Sequence, residues 1–187
     1  MPHSRRRTLG LALAAALALA AGPAPAADRE VIEARANLAL AQLYREVPGS
    51  RDLAQRARGL LVIPNVVKGG FILGGAYGEG VLRLPAGDGF HTVAYYSVAT
   101  ASLGLQAGIQ ESSQALFFLT SEALEAFRRS DGWEAGAGAE ITMLDGGGNV
   151  GISTAEYDRP VVAIVFGADG LLVGASLEGA KYSRIQR

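Results

Sequence analysis

The sequence predicts an α+β fold: N-terminal helices packed on a strongly curved, mainly antiparallel, glycine-rich β-sheet, with one further helix near residues 122–129. Three observations carry this expectation. Apolar residues recur at helical spacing only in the first part of the folded chain. From Val66 onward, glycine, β-branched and aromatic residues dominate and turn signals are frequent. A single short segment, Glu122 to Arg129, then interrupts the strand-like runs with acidic residues at its start and arginines at its end. The pattern admits either an open curved sheet or a closed barrel.

The first residues are read separately. Arg5, Arg6 and Arg7 precede the apolar run Leu9 to Ala21, and Ala24-Pro25-Ala26 supplies small residues suited to cleavage. This is the pattern of an export signal spanning residues 1–26. The run is short of the ~20 residues that a membrane-spanning helix needs. The expected destination is the periplasm or the exterior, with no lipoprotein anchor, because the chain has no cysteine to carry a lipid. Residues 27–187 are expected to form one domain, helical over 27–58 and β-rich over 59–187. Three of the 17 Lys and Arg and none of the 18 Asp and Glu lie in the signal segment. The remainder therefore carries 14 against 18, an acidic balance that argues against a nucleic-acid partner.

Asp28 to Glu46 predicts the first helix, with Asp28, Glu30 and Glu33 placed to complement its dipole. Ile32, Ala36, Leu40, Leu43 and Val47 form its apolar stripe, and Pro48-Gly49 stops it. Ser50 is expected to cap a second helix over Arg51 to Ala57. The apolar run Gly59 to Ile63 follows, and Pro64-Asn65 reads as a turn. Strands are expected over Phe71 to Leu84 and Thr92 to Gln110, joined by a hairpin loop at Pro85 to Gly89. A short strand over Gln114 to Thr120 leads to the helix that Ser121 is expected to cap. Further strands are expected over Glu134 to Leu144, Val150 to Tyr157, Val161 to Phe166 and Leu171 to Leu177, with Asp169-Gly170 as a hairpin signal.

Catalytic chemistry finds little support. His91 is the one histidine outside the signal segment, and no Gly-x-Ser-x-Gly elbow accompanies it. An exposed strand end is its simpler role. A zinc site typically needs two or three His or Cys ligands, so neither a metal nor a cofactor is expected. Gly74 to Gly80 and Gly146 to Gly151 look like phosphate loops, yet strand pattern follows each where a helix should open. Glu79, Glu111, Glu140 and Glu156 lie in apolar stretches; solvent exposure or pairing with Arg83 and Arg159 is the plainer account than an acid–base pair. Trp133 and Phe127 read as core. The basic residues are more suggestive. Arg51, Arg56 and Arg58 precede the run Gly59 to Ile63, Lys68 follows it, and Lys181, Arg184 and Arg187 crowd the far end. Guanidinium forks match phosphate oxygens, although a solvated charged face would have the same composition.

The stretch Arg56-Ala-Arg-Gly-Leu-Leu-Val-Ile-Pro-Asn-Val-Val-Lys-Gly-Gly-Phe71 resembles the SYLF domain family, also known as the Ysc84-type actin-binding domain. The resemblance continues through Gly75-Ala-Tyr-Gly-Glu-Gly-Val81, Tyr95 to Gly108, Ser130-Asp-Gly-Trp-Glu134, Arg159 to Gly167 and Ser176-Leu-Glu-Gly-Ala-Lys181. It implies phosphoinositide binding through the N-terminal, partly amphipathic region, actin binding in some eukaryotic relatives, and no enzymatic activity. The family's basic positions fall on Arg56, Arg58 and Lys68. An exported protein would meet anionic phospholipid headgroups instead of actin. The resulting expectation is a membrane-surface protein in which Arg51, Arg56, Arg58 and Lys68 grip phosphates while Ile32, Leu40, Leu43, Leu60 and Leu61 enter the lipid. An envelope scaffold binding a protein partner or itself is the second expectation. A hydrolase built on Glu79 or Glu111 is the third.

Overall fold

A computed structural model describes residues 28–70, 73–103, 110–135, 141–144, 158–167, 170–171 and 177–187. The expected signal segment, the strand Val150 to Tyr157, the loop Gly146 to Gly151 and the glutamates Glu140 and Glu156 lie outside them. Three helices and nine strands occur among the described residues: α1 (Arg29–Glu46), α2 (Ser50–Arg56), β1 (Gly59–Gly70), β2 (Leu73–Ala86), β3 (Gly89–Leu103), β4 (Gln110–Phe118), α3 (Ser121–Arg129), β5 (Trp133–Glu134), β6 (Ile141–Leu144), β7 (Val161–Gly167), β8 (Gly170–Leu171) and β9 (Lys181–Ile185). The sheet runs β5-β9-β3-β2-β1-β4-β7-β6, with β8 paired to β7. It is an open, curled half-barrel, antiparallel except where β6 meets β7.

The sheet is buried on both faces, and strand alternation divides it into two cores. Leu60, Val62, Val81, Ala115, Phe117, Val162, Ile164 and Phe166 point to the outer face, under Ile32, Ala36, Ala39, Leu43, Val47 and Leu53 of the first two helices. Leu61, Ile63, Leu82, Tyr96, Leu116, Phe118, Ala163 and Tyr182 point to the inner face, where Leu124 and Phe127 of α3 meet Trp133. Phe127 lies with its ring 4.7 Å from Tyr96, 4.8 Å from Phe118 and 5.4 Å from Trp133.

Several local expectations are corrected. Pro64-Asn65 does not turn the chain: β1 continues through it as a bulge, with a register shift between Ile63 and Val66 and Asn65 at φ 50°. The extra residue is absorbed within the strand, so the side-chain alternation changes face there. Ser50 does not cap α2. Gly49 holds the N-cap position, and the Ser50 hydroxyl lies 2.6 Å from the Val47 carbonyl, closing the end of α1. Thr120, one residue before Ser121, caps α3 by accepting from the Ala123 N–H at 3.2 Å. The expected strand Glu134 to Leu144 contributes two separate strands, β5 against β9 and β6 against β7. The two hairpins are where the turn residues put them: Ala86 pairs Gly89 across Gly87-Asp88, and Gly167 pairs Gly170.

Gly80 shows how closely β2 passes β1. A Cβ there would fall 1.9 Å from the Val62 carbonyl oxygen, a main-chain atom that cannot rotate away. Gly80→Ala should therefore lower the unfolding free energy by about 3 kcal/mol. Gly89→Ala, with open space around it, should change it by less than about 0.5 kcal/mol; urea melts of both variants check the difference.

Candidate functional site: the outer helix face and its fastening

The first helix crosses the outer face of the sheet and is fastened at both ends. Near its start, Glu33 accepts from Arg83 of β2 at 2.8 Å and from the Tyr95 hydroxyl of β3 at 3.2 Å. The Arg83 Nε also donates to the Thr92 hydroxyl at 3.3 Å. Near its end, the Gln42 amide donates to the Gly167 carbonyl of β7. Arg83 is buried, and a buried guanidinium without a carboxylate would be costly. Burial opposes ionisation of Glu33, but the hydrogen bonds from Thr92, Arg83 and Tyr95 and the Arg83 charge outweigh it and hold its carboxyl below the usual carboxylate range. This corrects the expectation that Arg83 pairs with an acidic residue of the apolar strands. Glu79 is instead paired with Arg187 and accepts from Tyr77, whose phenol is pushed up to about 12 by burial and by that carboxylate.

The fastening decides which residues can meet a membrane. Ile32, Leu43, Leu60 and Leu61 are buried in the two cores and are not available for insertion, and Leu40 is half-buried against the outer core. Releasing Ile32 and Leu43 would forfeit about 1.5–3 kcal/mol for each and expose the strand residues beneath. The outward side of α1 carries the exposed apolar residues instead. Leu38 is 72% exposed and Val31 40%, with Ala34 and Ala41 exposed on the same stripe. Helical spacing places Arg35 and Arg45 beside them. Sequence reasoning missed these residues because it chose the stripe with more leucines; the signal available was Val31-x6-Leu38, an apolar pair two turns apart on the charged side.

The basic residues are only partly gathered. Arg51 stacks over Tyr44 of α1 at 4.6 Å, so its guanidinium is held at the outer helix layer. Arg56 and Arg58 are exposed at the end of α2 and just after it. Lys68 is not with them. It lies ten residues beyond Arg58, a contour of roughly 30 Å along β1. Past the bulge it also shares its alternation with Val66, an inner-core residue. His91 is exposed on β3, and Glu111 is exposed on β4. The C-terminal trio separates as well: Arg184 turns to the inner face near Tyr96, Lys181 lies against Gly132, and Arg187 meets Glu79.

An open, curled sheet clothed by helices on both faces, with an ion pair from the buried Arg83 to Glu33 fastening the first helix, defines an α+β half-barrel. The chain is similar to the SYLF, or Ysc84, family. The family described as "Las17-binding protein actin regulator" matches residues 99–186, from late β3 through β9. The chain is also similar to LAS seventeen-binding protein 3 of Saccharomyces cerevisiae strains YJM789 and ATCC 204508 / S288c, with 28% identity over 143 residues. That match takes in 69% of this chain and spans only 28% of the length of the yeast proteins.

Glu33→Gln should cost about 2 kcal/mol at pH 7, because Arg83 loses its charged partner. Since the folded-state acidity of Glu33 is strengthened, its contribution is present above the ordinary value of 4.5 and is lost as pH falls through the lower folded value. The stability gap between wild type and variant should therefore narrow below pH 4.5, as equilibrium denaturation across pH would show.

Proposed function

We propose that this protein is a non-enzymatic module of the cell envelope that docks on anionic phospholipid surfaces, phosphoinositides included, through the outward face of α1 and the neighbouring α2. The observation that carries the reading is Leu38. It stands 72% exposed in the middle of a helix whose opposite side is entirely core. Arg35 and Arg45 flank it, and Arg51, Arg56 and Arg58 extend the cationic surface toward β1. Glu30 is exposed on the same helix, and Glu46 pairs with Arg45 at 2.9 Å, so α1 is not uniformly cationic. Shallow apolar side chains ringed by arginines suit the headgroup boundary, where apolar burial and attraction to anionic lipid add. Export of the chain, expected from residues 1–26, would bring this face to an envelope membrane. The family's phosphoinositide binding, which the sequence resemblance implies, supports the same chemistry.

A second reading is a protein-interaction module. The names of the family and of the yeast relatives refer to binding another protein. Val67 and Tyr77, a cross-strand pair on the outer face, are 42% and 52% exposed. Cross-linking without lipid tests it: a cross-linked species that Tyr77→Arg removes would favour this face as a contact.

For the lipid reading, co-sedimentation with phosphatidylserine vesicles is the measurement. Leu38→Asp should weaken pelleting by about tenfold, and each of Arg35→Gln and Arg45→Gln by about fivefold. Raising salt should weaken wild-type binding as the cationic contribution is screened. Equal pelleting with neutral vesicles would sink the proposal.

A further inference from the structure

Arginines from two separate elements meet on the inner side of the sheet. Arg128 and Arg129 end α3, Arg184 extends from β9, and with Glu125 they line a shallow pocket of ≈ 340 Å³. Arg128 and Arg129 have an ordinary explanation, since cations favour the last turn of a helix, and Arg129 lies 3.5 Å from Glu125 one turn back. Arg184 has none of this kind. It is brought in by the pairing of β9 with β3, opposite Tyr96 in the ladder. Both Arg184 and Arg128 act on the Tyr96 phenol, opposing the upward push of burial. Three guanidinium charges thus face one carboxylate, and among the described residues neither Arg128 nor Arg184 has a carboxylate within ion-pair distance.

The elements that carry these arginines are anchored in the core. Phe127, next to Arg128, is fully buried, and Tyr182, two residues before Arg184, donates to Gln114 at 2.8 Å inside the core. The rings of Phe127 and Tyr182 lie 6.3 Å apart. The like charges are therefore held near one another by the packed core. Such an arrangement is repulsive when empty and favourable around an anion.

We infer that the pocket lined by Arg128, Arg129 and Arg184 is a binding site for a phosphate-bearing ligand. Planar guanidinium forks converging from a helix and a strand can each engage two oxygens of a phosphate, which a point charge cannot do. The site lies across the sheet from α1, so it does not depend on lipid docking by the outer face. The shared chemistry is a phosphate group with at least two free oxygens, borne either by a soluble phosphate ester or by a lipid headgroup presented to this side.

Calorimetric titration of the full chain with inorganic pyrophosphate tests the site. Wild type should bind saturably, and Arg184→Gln and Arg128→Gln should each weaken binding by about tenfold. Glu125→Gln should tighten it, because a competing carboxylate is removed; this gain cannot arise from misfolding. Leu38→Asp should leave pyrophosphate binding unchanged, which separates this site from the α1 face. A second arm uses vesicles of equimolar phosphatidylcholine and phosphatidylserine. If Arg184→Gln weakens both arms, the ligand is a headgroup; if it weakens pyrophosphate alone, the ligand is a soluble phosphate ester. Absence of wild-type pyrophosphate binding, or equal binding by wild type and both arginine variants, overturns the inference.

Discussion

The central strands are buried on both faces, and this constraint governs the rest of the molecule. In β1, Leu60 and Val62 belong to one core while Leu61 and Ile63 belong to the other. In β7, Val162, Ile164 and Phe166 alternate with Val161, Ala163 and Val165 in the same way. A sheet of this kind cannot leave one side to water, so each face must be roofed. The first two helices cover the outer face, and α3 with its aromatic neighbours covers the inner one. Polar chemistry is thereby confined to the outward sides of helices and to places where strands outrun their cover.

The same constraint changes what lipid recognition can mean here. An amphipathic helix that partitions into a bilayer must offer its apolar side, but that side of α1 is already the roof of the outer core. The buried Arg83 adds to this: once placed in the sheet it demands a carboxylate, and Glu33 supplies one from α1. Gln42 secures the other end. The helix is therefore a fixed part of the fold, and on the proposed lipid reading contact with a membrane would fall to its preformed outward face. Such a face loses little conformational freedom on docking, which lowers the cost of association, but it also buries little apolar area. On that reading arginines would have to carry a large share of the affinity.

The helices, the hairpins at Gly87-Asp88 and Gly167 to Gly170, and the strand-rich remainder were legible because each has a local signature. Other features were illegible for physical reasons. The Ile32, Ala36, Leu43 stripe has the same periodicity whether it faces protein or lipid, and only the position of the sheet decides between them. Pro64-Asn65 has the composition of a turn, yet a bulge uses the same positive-φ asparagine while keeping the strand going. That continuation is what carries Lys68 away from Arg58. Strand β9 was missed because Lys181 and Arg184 break the apolar pattern, although Tyr182 between them is fully buried. The partners of Glu79 and Arg83 lie 108 and 50 residues away in sequence, beyond any local rule.

Net charge also proves a poor guide to where anions could bind. The folded part carries more acids than bases, yet its arginines collect on α1 and α2 on one side and around the end of α3 on the other. At physiological salt, the field of exposed charges decays over about 8 Å. The two groups are separated by the sheet and its helical covers, roughly 20 Å at about 10 Å per packed layer. At that distance each arginine group is nearly independent of the other and of the acidic remainder. An anion engaged on one face neither repels nor assists one on the opposite face through space. Coupling between them would have to pass through the packed core, where the second strand carries Val81 and Leu82 to opposite faces. That core has no spare volume to redistribute at Gly80, so the fold itself favours two separate surfaces over a single linked one.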